Sequence, residues 1–185
     1  MERFESERLL FRPWEPGDDE ALFAIASNPG IGPNCGWQPH GSIGDSRTFL
    51  ADTLIGKPFW AIVRKEDGAL MGNISLEGPD LSSEARDASE AEIGFWIGPD
   101  YEGRGYITEA CLRMLEHAFD ELGLETVWIG HHDENLGSAR VQAKCGFKLH
   151  HRIPDHYSKG KGRITPKTVN WMRAEDWRAM RGGRS

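Results

Sequence analysis

Apolar residues recur along this chain with two periods, near two and near 3.6, and the switches between them mark its elements. Leu9, Leu10, Phe11 and Trp14 suit a first strand, and residues 16–27 a helix carrying Ala21, Leu22, Ile25 and Ala26 on one side. Residues 28–43 form a Gly/Pro-rich loop with Trp37 and His40, too long for a simple connector. Residues 45–54 suit a second short helix. Two apolar runs, residues 59–63 and 70–76, turn at Glu66-Asp67-Gly68 and predict a hairpin. Residues 78–90 are polar and rich in Ser and charge, the pattern of a mobile loop. An apolar strand follows at residues 91–98. The helix predicted over 106–122 aligns Ile107, Cys111, Met114, Leu115, Ala118, Phe119 and Leu122, and Gly123 stops it. Residues 125–132 read as a strand. A short helix then starts at Asn135, a good N-cap, and ends at Gly146. Residues 147–153 and 168–172 read as two final antiparallel strands around a Gly/Lys loop at 155–166. No internal repeat or linker interrupts the order, so residues 1–185 are expected to form a single α+β domain.

The turn between the apolar strand and the long helix, Glu102-Gly103-Arg104-Gly105-Tyr106, carries the first chemistry. A helix N-terminus has unpaired N–H groups and about half a positive charge, and glycines before it let an anion approach the backbone. The turn reads as a phosphate cradle. It is not a P-loop: Gly98 to Gly103 has the spacing, but Arg104-Gly105 replaces the Lys and the hydroxyl residue that would hold phosphate and Mg²⁺. A dinucleotide fingerprint needs a third Gly where Thr108 stands. Alone, the turn fits a plain strand-to-helix connection equally well.

The next segment breaks the tie. After residues 125–132 comes Asn135-Leu136-Gly137-Ser138-Ala139-Arg140-Val141-Gln142-Ala143-Lys144-Cys145-Gly146-Phe147. With the turn, this segment resembles the GNAT acyl-CoA N-acyltransferases, and within them the RimJ/RimL-like branch, which modifies ribosomal-protein N-termini and various small amines. The resemblance covers most of the chain. Glu7-Arg8-Leu9-Leu10-Phe11-Arg12-Pro13-Trp14 is similar to that branch's opening strand, and the two runs at 59–63 and 70–76 to its central hairpin. Residues 91–110 are similar to its pyrophosphate motif, and 135–147 to its Asn-Ser-Lys-Gly-Phe helix. Two positions depart from the pattern: Glu102 stands where Gln or Arg is usual, and Ile107 where Gly or Ala is. Glu102 would repel a pyrophosphate mildly unless it points to solvent.

The resemblance implies a mixed, mostly antiparallel central sheet with helices on both faces and two parallel motif strands that splay apart, here residues 92–97 and 126–131. It implies acetyl-CoA as co-substrate. The backbone of Phe95, Trp96 and Ile97 would pair with the pantetheine arm and polarise the thioester carbonyl. The segment Gly103, Arg104, Gly105, Tyr106, Ile107 and Thr108 would hold the pyrophosphate, with Asn135, Ser138 and Lys144 on the second motif. Many family members place a Tyr in that helix to protonate the thiolate. Gln142 occupies the matching position, so Ser138 is the expected proton donor. Glu92, on the motif strand near the expected acyl end, is the expected base, with His131 and His132 next in line; adjacent strand residues face opposite ways, so at most one of the two enters a cleft. Trp37, His40 and Trp60 are candidate acceptor-lining residues, although core packing suits Trp60 better. The expected reaction is direct attack of a primary amine, from a small molecule or a protein N-terminus, on acetyl-CoA in a ternary complex. A non-catalytic acyl-CoA-binding or sensing domain is the alternative.

Composition narrows the partners. Hydrophobic residues at 38% and charged residues at 28% are ordinary for a globular chain, and no apolar run approaches a membrane span. The start, Met1-Glu2-Arg3-Phe4-Glu5, lacks the pattern of a signal peptide. Three widely spaced cysteines, Cys35, Cys111 and Cys145, suit reduced thiols in a cytoplasmic protein, neither a disulfide framework nor a zinc site. His131, His132 and Asp133 make a poor metal set, and no metal is expected. The net charge of −7 is split: residues 1–147 carry 12 basic against 26 acidic side chains, and residues 148–185 carry 10 against 3. An acidic body disfavours nucleic acid as a partner and suits a cationic amine. A monomer or homodimer is expected.

Overall fold

The structure, a computed structural model, describes residues 2–183. In chain order the strands are β1 (Phe4–Glu5), β2 (Leu9–Pro13), β3 (Phe59–Arg64), β4 (Leu70–Glu77), β5 (Glu90–Ile97), β6 (Thr126–His132), β7 (Lys148–Ile153), β8 (Tyr157–Ser158), β9 (Arg163–Ile164) and β10 (Lys167–Arg173). The helices are α1 (Asp19–Ala26), α2 (Ile43–Phe49), α3 (Tyr106–Glu116), α4 (Leu136–Cys145) and α5 (Ala174–Gly182). Among the described residues one sheet of eight strands runs in the order β1-β2-β3-β4-β5-β6-β10-β7, and β8-β9 form a small ribbon. The registered pairs β1/β2, β2/β3, β3/β4, β6/β10 and β7/β10 are antiparallel, whereas β5 and β6 are parallel. A parallel pair needs a crossover, and α3 supplies it. The β5/β6 register runs from Glu90↔Thr126 to Ile93↔Ile129, and both strands continue past it. This is the mixed, mostly antiparallel α+β sheet expected from the sequence.

The chain separates into two compact units. One contains residues up to Ser75 with Phe95–Ala110 and Ser158–Arg163; the other contains Leu76–Gly94, Cys111–Tyr157 and the residues from Ile164 on. In the first unit, Trp14, Leu22, Ile25, Ala26, Leu50, Leu54, Ala61 and Trp96 form a buried cluster. Ser42 and Asp45 close a capping box that starts α2, and a single π-type turn, Leu50–Leu54, carries that helix on. Gly72 lets two strands approach, since a Cβ there would collide with the Trp96 carbonyl.

In the second unit, α3 is likewise continued by a π-type turn, His117–Glu121. Trp177 of α5 stacks on Phe119 at 6.0 Å between ring centroids and donates to Asp120 Oδ1 at 3.0 Å. Neither β1 nor α5 was expected from the sequence pattern. The 78–90 loop also differs from expectation: Ser82 Oγ and the Ser83 N–H donate to Glu92 Oε2 at 2.8 and 3.2 Å, and Ala85 is buried against Trp128 and Val169. Its polar residues tie it to β5.

Candidate functional site

The first unit holds the turn. Trp96 and Gly98 face β4: the Gly98 N–H donates to Met71 O at 2.8 Å, and the Trp96 carbonyl lies against Gly72. By alternation, the backbone groups of Phe95 and Ile97 are presented at the other edge of β5. A short 3₁₀ turn, Pro99–Tyr101, leads into Gly103 and Gly105, whose φ values are +72° and +80°. Only glycine adopts this conformation without strain, so both are fixed by backbone geometry as well as by the room they leave. A Cβ at Gly103 would meet no atom within 4 Å among the described residues; at Gly105 it would meet only Arg8 Nη2, at 3.6 Å. The cradle is open. Glu102 and Arg104 are exposed, so Glu102 is free to turn to solvent, while Tyr106 and Ile107 are buried.

Arg8 and Glu109, which the sequence reading did not single out, hold this turn. Glu109, in the first turn of α3, accepts from the Ser6 hydroxyl at 2.7 Å, the Arg8 N–H at 2.8 Å and Arg8 Nε at 2.6 Å. The Arg8 guanidinium also donates to Arg104 O at 3.2 Å and lies 4.5 Å from the Tyr106 ring centroid. Burial alone would raise the Glu109 pKa. The Arg8 N–H, the Ser6 hydroxyl and the Arg8 charge outweigh it and hold the pKa below the ordinary value. A long-range pair of this kind, 101 residues apart, leaves no local signature.

The acceptor candidates, also in the first unit, are packed side chains. The Trp37 ring, half-buried, lies 5.1 Å from His40, 5.4 Å from Phe49 and 6.2 Å from Trp96, and it fills the space beside Gly32. His40 is buried, within 2.7 Å of Ser46 Oγ, and burial lowers its pKa against the pull of Asp45. Trp60 is buried beside Phe4 and donates to Glu2 O at 3.0 Å. Core packing accounts for Trp60, and Trp37 packs against the buried cluster more than a loop lid would.

The second unit holds the second motif. Asn135 caps α4 by accepting from the Ser138 N–H at 3.1 Å, and Gly146, at φ +87°, ends the helix, both as read from sequence. Lys144 lies exposed in the last turn. Gln142 is buried at the centre of a polar group. Its Nε2 donates to Gly130 O at 3.2 Å and to Ser138 Oγ at 3.1 Å; its Oε1 accepts from Asn170 Nδ2 at 2.6 Å and lies 3.1 Å from His131 Nδ1. The group thus joins α4, β6 and β10.

Glu92 lies on the opposite sheet face. It is in register with Trp128, whereas His131 alternates with Trp128 along β6. Besides Ser82 and Ser83, it pairs with Lys167 Nζ at 3.7 Å, and that lysine also reaches Glu84 at 3.5 Å. The Lys167 stem occupies the space a Cβ at Gly130 would need, which explains a glycine in mid-strand. The fold gives Glu92 a structural task, as anchor of the 78–90 loop and partner of Lys167. His132 is buried on this face, 5.6 Å from the His156 ring. Among the described residues no group of three or more His, Cys, Asp or Glu side chains is placed to hold a metal ion.

A glycine turn at the start of α3 and an Asn-capped α4 beside a parallel strand pair fit the motifs expected from the sequence, and the comparisons with known proteins give the family. A family model described as an acetyltransferase (GNAT) domain matches residues 8–148. The chain belongs to the GNAT acetyltransferase family of enzymes. It is similar to the putative ribosomal N-acetyltransferase YdaF of Bacillus subtilis, with 41% identity over 81 residues, a match spanning 44% of this chain and 42% of that protein. It is similar over 89% of its length, at 25% identity, to the uncharacterised N-acetyltransferase p20 of Bacillus licheniformis, covering 92% of it. Among solved structures, a GCN5-related N-acetyltransferase from Brucella melitensis superposes with a TM-score of 0.84 at 22% identity, over 98% of this chain and 82% of that one. The microcin C7 self-immunity acetyltransferase MccE, solved in complex with acetyl-CoA and AMP, superposes with a TM-score of 0.76 at 18% identity, over 91% and 93%.

Proposed function

We infer that this protein transfers the acetyl group of acetyl-CoA to a primary amine, carried by a small molecule or a protein N-terminus, by direct attack. The observation that carries the reading is the pair of left-handed glycines at the start of α3, with open space above Gly103 and only the Arg8 guanidinium, itself paired with Glu109, beside Gly105. The N–H groups from Gly103 to Thr108 hold the pyrophosphate, with the exposed Arg104 adding charge, while the free edge of Phe95 and Ile97 pairs with the pantetheine arm. Asn135 donates to the cofactor through its amide nitrogen, since its oxygen is committed to the helix cap. Ser138 protonates the departing thiolate: its Oγ accepts from Gln142, which leaves its own proton for a ligand. MccE, solved with acetyl-CoA, and YdaF, named as a ribosomal N-acetyltransferase, support the donor and an amine acceptor. Acidic side chains outnumber basic ones in residues 1–147, which favours a cationic acceptor and disfavours nucleic acid.

Calorimetry with acetyl-CoA, joined to thiol release over a panel of polyamines, amino acids and N-terminal peptides, tests this reading. Binding and amine-dependent thiol release are expected. Arg104→Glu, an exposed change in the turn, should weaken acetyl-CoA binding about tenfold, close to 1.4 kcal/mol, and more at low salt. Unchanged affinity in that variant would move the pyrophosphate elsewhere. Binding without turnover on any amine would leave the non-catalytic reading.

A further inference from the structure

The Gln142 amide has only one way to satisfy its neighbours, and that fixes the protons around it. Gly130 O is a pure acceptor, so the Gln142 atom 3.2 Å from it is the NH₂ group. The same NH₂ group gives its second hydrogen to Ser138 Oγ. The opposite atom is therefore the carbonyl oxygen, which accepts from Asn170 Nδ2 at 2.6 Å. His131 Nδ1 stands 3.1 Å from that oxygen, and two acceptors cannot share a hydrogen bond, so Nδ1 carries the proton. In the neutral ring, Nε2 is then a bare lone pair, and it has no hydrogen-bond partner among the described residues. His131 is partly exposed and lies past Ile129, where the β5/β6 register ends. Around it, β10 presents Thr168 and Asn170, α4 presents Ser138 and Gln142, and the nearby charges Asp133 and Arg152 neutralise each other at 3.0 Å. By contrast, the Glu92 oxygens on the other sheet face are occupied by Ser82, Ser83 and Lys167.

We propose that His131, through Nε2, is the general base that deprotonates the acceptor amine, and that Gln142 is the positioning residue that holds both His131 and Ser138 in the protonation geometry the reaction needs. The assignment rests on the acetyltransferase reading above. Nε2 takes one proton from the ammonium form of the acceptor and passes it to solvent. The amine nitrogen then forms its bond to the thioester carbon, and the carbon–sulfur bond breaks. Ser138 gives its proton to the departing thiolate and is restored by the second proton leaving the nitrogen. Ammonium and thioester become amide, thiol and one proton. One buried amide, donating on one side and accepting on the other, turns the hydroxyl of Ser138 outward as a donor and leaves His131 Nε2 outward as an acceptor.

The test joins spectroscopy to kinetics. Long-range ¹H–¹⁵N correlation spectra of the ring-labelled protein should show His131 in its neutral form protonated at Nδ1, and Gln142→Met should shift that population toward Nε2. His131→Asn keeps an N–H donor toward Gln142 and removes the base. It should bind acetyl-CoA as the wild type does, lower kcat by about 10²-fold or more, and lose the acidic limb of the pH–rate profile. Glu92→Gln should keep that limb. A neutral His131 protonated at Nε2 would overturn the proposal, as would kcat within threefold of wild type in His131→Asn, or an acidic limb lost only in Glu92→Gln. A wild-type protein that neither binds acetyl-CoA nor releases thiol with any amine would instead overturn the acetyltransferase reading, and the base assignment with it. Should His131→Asn fail to fold, the same kinetic outcomes are read from His131→Gln.

Discussion

Gly105 shows why a residue's role and its conformation have to be separated. Its φ of +80° strains any L side chain, by about 1–2 kcal/mol. Gly105→Ala should therefore lower stability by roughly that amount in urea denaturation of the protein without acetyl-CoA. A loss of cofactor affinity in such a variant mixes strain with blocked approach, which is why the exposed Arg104 is the cleaner probe. The spacing of the glycines was legible in the sequence; their left-handed backbone was not, because φ is set by how the 3₁₀ turn Pro99–Tyr101 delivers the chain to α3. Asn135 and Gly146 were legible for a related reason, since a cap acts within a few residues of itself. The Gln142 group was not. Gly130, His131, Gln142 and Asn170 meet only after β6, α4 and β10 have assembled, and each residue alone looks like an ordinary polar position. Sequence alone also ranked Glu92 first, for its place on β5. What it could not show was that Lys167, from a strand more than 70 residues later, would occupy that carboxylate.

At the scale of elements, two polar contacts decide whether the motif helices start where the chemistry needs them. Asn135 has one atom for the helix and one to spare: its oxygen accepts from the Ser138 N–H, and its NH₂ group is the donor assigned to the cofactor. Asn135→Asp keeps the cap and adds a favourable charge at a helix N-terminus. It should match or exceed wild-type stability while binding acetyl-CoA more weakly, whereas Asn135→Ala should lose about 1 kcal/mol of stability as well. Equal affinity in Asn135→Asp would reduce the residue to a cap. The second contact, Glu109 with Arg8 and Ser6, ties the start of β2 to the first turn of α3. Its pKa is depressed in the fold, so the stability it contributes is complete above its unfolded value near 4.5 and is lost as pH falls through the lower folded value. Glu109→Gln should then be less stable than wild type by about 1.5–3 kcal/mol at neutral pH, with the gap closing as the medium is acidified below about pH 4.5. Urea midpoints over a pH series measure this, and a gap that stays constant with pH would assign the loss to packing. Elements with strong periodicity, such as α3 and the hairpin β3/β4, were readable from sequence. Both π-type continuations and the short β1 were not, since they depend on what the chain packs against.

For the whole molecule, the question is whether acetyl ever rests on the enzyme. The direct attack proposed above needs a donor and an acceptor bound together, with no covalent stop between them. The nucleophiles the chain offers agree with this. Cys111 and Cys145 are fully buried, and the hydrogen bond between their thiols, with burial, holds Cys111 protonated well above the ordinary range. A protonated thiol with no access to solvent cannot take up an acetyl group. The Ser138 hydroxyl accepts from the Gln142 NH₂ group, which cannot take its proton, so this neighbour does not activate it for attack. Initial velocities measured against acetyl-CoA at several fixed amine concentrations should therefore give lines that intersect in a double-reciprocal plot, the pattern of a ternary complex. Cys35 is an exposed residue, but burial of its thiol pushes the pKa up to about 12, so it too stays protonated, and Cys35→Ala should leave both slopes unchanged. Parallel lines, or an acetylated protein of raised mass after incubation with acetyl-CoA alone, would show an acyl-enzyme. The proton-transfer roles of Ser138 and His131 would then belong to the formation and breakdown of that intermediate.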